Sequence, residues 1–151
     1  MGSEPREVEK IRERFGEALR EVVYFRGEDT LVVAPEKIVE ICRFLKEDPE
    51  MVFDLLVDIT GIHYLEREYS YEVVYHLLSL ARRRRLRLRA RLGEAGEIDS
   101  VTPVWRGADW HEREAFDLVG IRFKGHPDLR RILMPEDFEG HPLRKDFPLE
   151  Q

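Results

Sequence analysis

His111, Glu112, Glu114, His126, Asp128 and His141 are the residues whose types first suggest chemistry, and that chemistry is metal binding. Neither pair of successive histidines has the i, i+4 spacing that sets two imidazoles on one helical face. His126 and His141 each stand inside Gly-His-Pro, a turn sequence in which the imidazole packs or caps locally. Glu112 and Glu114 read next as an acid/base pair. Alternate positions on a helix point to different faces, however, and no nucleophile or phosphate loop lies near them, so interface or capping roles suit them better. Cys42 is the only cysteine, which excludes an intrachain disulfide, a Cys-x-x-Cys metal site and the ligand set of an iron-sulfur cluster.

Seven of the ten residues from Arg82 to Arg91 are arginine. From Arg85 onward they alternate with Leu86, Leu88, Ala90 and Leu92, the period of a strand with one apolar and one wet face. Such a stripe is the best case here for binding nucleic acid or anionic lipid. No aromatic residue interleaves the arginines for base stacking, and 31 acidic residues give a formal net charge of −6, so a solvated or partner-facing strand is the better reading. A nucleic-acid-binding module remains the alternative of another class.

These residues need elements to hold them. The chain has 151 residues, 42% of them hydrophobic, which suits one domain with a real core. No apolar run approaches the roughly 20 residues that span a bilayer, and the first residues lack the apolar centre of a secretory signal, so a soluble chain is expected. Val8, Ile11, Phe15 and Leu19 recur at helical spacing and predict a helix over about 5–19. Residues 21–25 and 30–33 read as a hairpin. Pro35 suits the first turn of a second helix, with Ile38, Ile41, Cys42 and Leu45 on its buried face and an end at Asp48 before Pro49. Strands follow at 53–59, 69–80 and 86–92, an antiparallel meander broken by Thr60-Gly61 and the arginine-rich turn. Residues 98–106 form a connector, with Ser100 or Thr102 capping a helical turn. Asp109 and Glu112 have capping-box spacing for a third helix from Trp110 that Gly120 ends, with Trp105 and Trp110 anchoring it to the sheet. The fold class expected is α+β: a mainly antiparallel sheet with two or three helices on one face, followed by an extended C-terminal arm.

That arm is the least self-sufficient part of the chain. Gly120, Gly125 and Gly140 with Pro127, Pro135, Pro142 and Pro148 interrupt every period, yet Phe123, Leu129, Ile132, Leu133, Phe138, Leu143 and Phe147 are too apolar for a solvated linker. The division expected is a body over 1–120 and an arm over 121–151 that buries its apolar residues and pairs its arginines and aspartates on a partner chain.

The ordered run Glu112-Arg113-Glu114, Phe116-Asp117, Gly120-Ile121, Phe123, Gly125-His126-Pro127-Asp128-Leu129-Arg130-Arg131-Ile132-Leu133 and Gly140-His141-Pro142-Leu143-Arg144-Lys145-Asp146-Phe147-Pro148-Leu149 resembles the signature of the 30-kDa subunit family of respiratory complex I. A looser resemblance reaches back through 55–61 and 71–77 to Ser100-Val101-Thr102. Leu118-Val119 and Met134-Pro135-Glu136-Asp137 depart from the commonest pattern and leave the branch open, since membrane-bound energy-converting hydrogenases carry homologous subunits. The resemblance implies a non-catalytic scaffold in the peripheral arm of an NADH:quinone oxidoreductase that couples electron transfer to proton translocation. It implies no cofactor in this chain, partners in the large quinone-site subunit (the 49-kDa type, similar to the nickel-iron hydrogenase large chain) and in neighbouring iron-sulfur subunits, and a place on the cytoplasmic face of the membrane through the assembled complex. The residues it assigns to partner binding are Glu112, Arg113, Glu114, Asp117, His126, Asp128, Arg130, Arg131, Phe138, His141, Arg144, Lys145, Asp146 and Phe147.

Overall fold

Alternating side chains from residue 19 to residue 92 build one five-stranded sheet, and the helices lie where the apolar half of each alternation points. A computed structural model describes residues 4–25, 28–127, 129, 131, 133–134 and 139–146. Helix α1 (Arg6–Phe15) buries Val8 and Ile11. It ends earlier than its periodicity predicts because Gly16 adopts φ +53°, through which a right-handed helix does not continue, and Leu19 then opens a strand. Strands β1 (Leu19–Phe25) and β2 (Glu28–Val33) form the expected hairpin. Helix α2 (Ile38–Glu47) starts from the turn at Pro35, stops at Asp48, and buries Ile38, Ile41, Cys42 and Leu45. Burial raises the Cys42 thiol well above its ordinary range, in keeping with a core role.

Strands β3 (Leu55–His63), β4 (Tyr71–Ser79) and β5 (Arg84–Leu92) form the meander. The order across the sheet is β1-β2-β5-β4-β3, so β2 pairs parallel with β5 and joins hairpin to meander, a junction the periodicity does not announce. Thr60-Gly61 does not end β3. Gly61 lies within the strand because a Cβ there would sit 2.7 Å from Ile121 Cδ1 and 3.5 Å from Val119, so glycine serves close packing rather than a turn.

Leu86, Leu88, Ala90 and Leu92 meet Leu31, Val33, Val73, Tyr75 and Leu77 in the core beneath the helices. The arginines face the other side, where Arg87 pairs with Glu28 at 2.8 Å. Arg89 and Arg91 flank the fully buried Glu72 at 3.4 and 3.3 Å, and the Tyr64 hydroxyl donates to it at 3.0 Å. These pairs oppose like-charge repulsion along the strand.

The connector holds a short strand, β6 (Glu97–Asp99), and helix α3 (Ala108–Val119) packs along β3. Beyond it β7 (Arg122–Lys124) pairs parallel with β6, placing Ile98 beside Phe123. Ile121 and Phe123 are therefore core residues of this chain, so Phe123 finds its apolar partners at home rather than on another subunit.

Candidate partner-binding site

Helix α3 is the rod around which the expected interface residues are arranged. Gly120 ends it at φ +91° with its N–H donating to the Phe116 carbonyl at 2.8 Å, as its position predicts. The start differs from the expectation. The helix begins at Ala108 from Gly107, with no side-chain cap, because Glu112 turns inward. Ser100 Oγ donates to Glu112 Oε1 at 2.6 Å and the Val101 N–H donates to Oε2 at 2.8 Å, bracing the connector against the helix. Burial pushes the Glu112 carboxyl up to about 7, against the two hydrogen bonds that favour its charge. Trp105 also anchors this corner, its Nε1–H donating to the Phe53 carbonyl at 3.3 Å, whereas Trp110 is 52% exposed and anchors nothing beneath the helix.

Asp117, in the last turn of the helix, gathers the chain that follows. Its side chain is fully buried and takes the Arg131 guanidinium on Oδ1, while the Leu133 and Met134 N–H groups donate to Oδ2 at 2.6 and 2.8 Å. Burial opposes ionisation, but Arg131 and the two amides outweigh it and hold the carboxyl below its ordinary value. Arg131 also donates to the Gly140 carbonyl at 2.8 Å, drawing the two halves of the C-terminal segment together.

The two Gly-His-Pro turns clasp the helix, one at each end. The His126 imidazole, its side chain fully buried, sets Nε2 3.2 Å from the Asp109 carbonyl and 2.9 Å from its carboxylate. His141 donates from Nδ1 to the Asp117 carbonyl at 2.9 Å and lies against Phe116 at 5.5 Å between ring centroids. Both histidines act locally, as the turn sequence predicts. Farther on, the Leu143 N–H donates to the Leu118 carbonyl at 2.7 Å, and the Lys145 N–H donates to Nδ1 of His63 on β3 at 3.1 Å. Arg144 chelates Asp146 at 2.9 and 2.8 Å and holds that carboxyl below its ordinary value.

The structure thus brings Glu112, Asp117, His126, Arg131, His141, Arg144, Lys145 and Asp146 onto or against α3 and the end of β3. Glu112 and Asp117 lie inside the chain and are engaged by its own groups. Arg113 and Glu114 are half-buried on the helix, and the Lys145 side chain is exposed. Asp128, Arg130, Phe138 and Phe147 fall outside the described residues. His63 is not legible in the sequence as part of the site; only its place at the inward phase of β3 hints at it. No group of three His, Cys, Asp or Glu side chains among the described residues is placed to hold a metal ion. No described helix is long and apolar enough to cross a membrane. Chemically, the arrangement fixes backbone through its ionisable groups and presents Leu143 and Lys145 at the surface.

Comparison with known proteins matches residues 31–151 to the family described as the 30-kDa subunit of respiratory-chain NADH dehydrogenase. An NADH-quinone oxidoreductase subunit of Rhizobium etli is 56% identical over 139 residues, 92% of this chain and 74% of the relative. Another NADH-quinone oxidoreductase subunit, from Geotalea uraniireducens, is 50% identical over 152 residues, 99% of this chain and 91% of the relative. Among solved structures, a chain of the membrane-bound sulfane sulfur reductase, an archaeal respiratory membrane complex, aligns with a TM-score of 0.76 at 25% identity, covering 94% of this chain and 84% of that one.

Proposed function

We propose, on the premise that this chain belongs to the family of the 30-kDa subunit of respiratory-chain NADH dehydrogenase, that it is a non-catalytic scaffold and interface subunit of a complex I-type NADH-quinone oxidoreductase. The complex carries electrons to quinone; this chain contributes shape and contacts. Its neighbours are the large quinone-site subunit and the adjoining iron-sulfur subunits, and it reaches the cytoplasmic face of the membrane as a peripheral part of the assembly. The C-terminal residues beyond β7, 125–151, supply the docking surface.

One observation carries this reading: the segment that matches the family includes a site whose ionisable groups hold backbone in place and, among the described residues, form no reactive constellation. Substrate turnover would need a nucleophile with its base, or a cofactor cradle. A scaffold needs a rigid presented surface. A second reading, the equivalent subunit of a membrane complex with another electron acceptor, draws on the likeness to the sulfane sulfur reductase chain. The higher identity to quinone-reducing relatives favours the first.

The experiment is capture of the tagged chain from its native membranes, with its companions identified by mass spectrometry. NADH-quinone oxidoreductase subunits should co-purify in fixed ratio. Arg144→Glu, at a side chain one-third exposed, should change the lone chain's stability by no more than about 0.5 kcal/mol. It should lower recovery of the companions more than about tenfold, since an unpaired charge in a desolvated interface costs ~2–5 kcal/mol. Hydrogenase-type or sulfur-reducing companions would replace the first reading by the second, and a chain purified alone would overturn both.

A further inference from the structure

Leu143 and Leu133 are 57% and 50% exposed, large apolar side chains on a segment rich in glycine and proline. Neither is carried on free chain. The Leu133 N–H is bonded to the Asp117 carboxylate and the Leu143 N–H to the Leu118 carbonyl, so consecutive residues of the last turn of α3 hold both leucines. Two residues beyond Leu143, the Lys145 N–H is bonded to Nδ1 of His63, an imidazole only 6% exposed that stacks on Tyr71 at 4.8 Å. To accept there, Nδ1 carries no hydrogen, so His63 is neutral with its proton on Nε2. Burial first, and then the Arg144 charge, lower its pKa and favour that form. Gly120 completes the seat: its missing Cβ would sit 2.9 Å from the His141 ring.

We infer that residues 139–146 form a docking ledge fixed before any partner arrives, that Leu143 and Leu133 insert into an apolar socket on a neighbouring subunit, and that His63, buried in the body, positions the ledge. This deepens the function proposed above and rests on it. The chemistry of the rim selects a protein partner. Arg144 is neutralised by Asp146, leaving Lys145 as the one exposed cation of the described residues 141–146, which is too little positive charge to seek an anionic bilayer. An apolar centre with a charge-balanced rim is the arrangement of a protein interface. Fixing the backbone beforehand removes the ordering entropy that a loose arm would lose on binding, so affinity depends on groups that never touch the partner.

The test uses the full chain in two measurements. Amide hydrogen exchange on the isolated chain should show Leu143 and Lys145 protected at least about tenfold over unstructured peptide. His63→Leu, which removes the acceptor, should abolish protection at Lys145, and His63→Asn, whose Oδ1 stands near the place of Nδ1, should restore it. Capture of companion subunits should then fall more than about tenfold in His63→Leu, recover in His63→Asn, and fall as far in Leu143→Arg, which alters only an exposed side chain and leaves folding intact. Unprotected amides in the wild type would overturn the ledge, and normal capture by Leu143→Arg or by His63→Leu would overturn its role in docking. Leu143-dependent flotation with vesicles of anionic phospholipid would overturn the protein partner in favour of a membrane. If the wild-type chain captures no companions while its amides are protected, the functional reading fails and the ledge stands.

Discussion

Asp117→Asn tests the clasp most directly, because the change keeps the volume, removes the charge and replaces one accepting oxygen with an NH2 donor that faces other donors. In the wild type the carboxylate serves Arg131 and the amides of Leu133 and Met134 with no water-facing surface of its own. Removing one member of a buried ion pair costs ~3–5 kcal/mol. Arg131 keeps the carbonyls of Asp117 and Gly140 as acceptors, so the lower end applies, ~3 kcal/mol. At ~2–4 °C per kcal/mol for a chain of this size, thermal unfolding at pH 7 should drop by ~6–12 °C. The sign with pH follows from the depressed carboxyl: its contribution is full above the ordinary aspartate value near 4 and disappears as pH falls through the lowered one. Calorimetric melts of both proteins should therefore converge toward pH ~2. A difference within ~0.5 kcal/mol at pH 7, or one unchanged at pH 2, would refute the reasoning.

Glu112 should behave with the opposite sign. Its carboxyl is raised to about 7, so the protonated form favours the fold; the contribution is intact below the ordinary glutamate value and is lost as pH rises through 7, on the order of 2–3 kcal/mol. Glu112→Gln should flatten that decline in denaturant titrations between pH 5 and 8, and an equally steep decline would sink the assignment. Gly61→Ala should cost ~1–3 kcal/mol by pressing on Ile121 Cδ1, and pairing it with Ile121→Val, which deletes that atom, should return most of the loss in urea unfolding; plain additivity would show that the contact is not the cause.

The periodic parts of this fold are legible in the sequence, and the reasons are local. Alternation from Arg85 to Leu92 predicts a two-faced strand, and the structure buries Leu86, Leu88, Ala90 and Leu92 in turn. Ile38, Ile41, Cys42 and Leu45 predict the inner face of α2 for the same reason. Local rules fail where a distant group overrides them. Gly61 reads as a breaker until α3 is seen crossing it, and Asp109 with Glu112 read as a cap until the Ser100 hydroxyl claims the glutamate. Phe123 reads as an arm residue because its strand partner, Ile98, lies in a connector with no period of its own. The histidines read correctly as local turn groups, but that His126 and His141 grip opposite ends of one helix depends on tertiary closure.

The parallel pairing of β2 with β5 also constrains the order in which the chain can assemble. Strands β1 and β2 pair from Phe25 with Glu28, close neighbours in sequence, and β3, β4 and β5 follow one another as neighbours, so each half gathers quickly from nearby residues. Asp29 through Val33, by contrast, must find Leu86 through Ala90 with α2, β3 and β4 intervening in sequence. Closing that long loop is the entropic bottleneck, and nothing earlier rewards it. During synthesis the hairpin leaves the ribosome long before β5, with the open edge of β2 exposed to any other strand in reach. The N-terminal half therefore depends on the C-terminal half for completion, and a nascent chain stalled before residue 86 would be the species most exposed to aggregation.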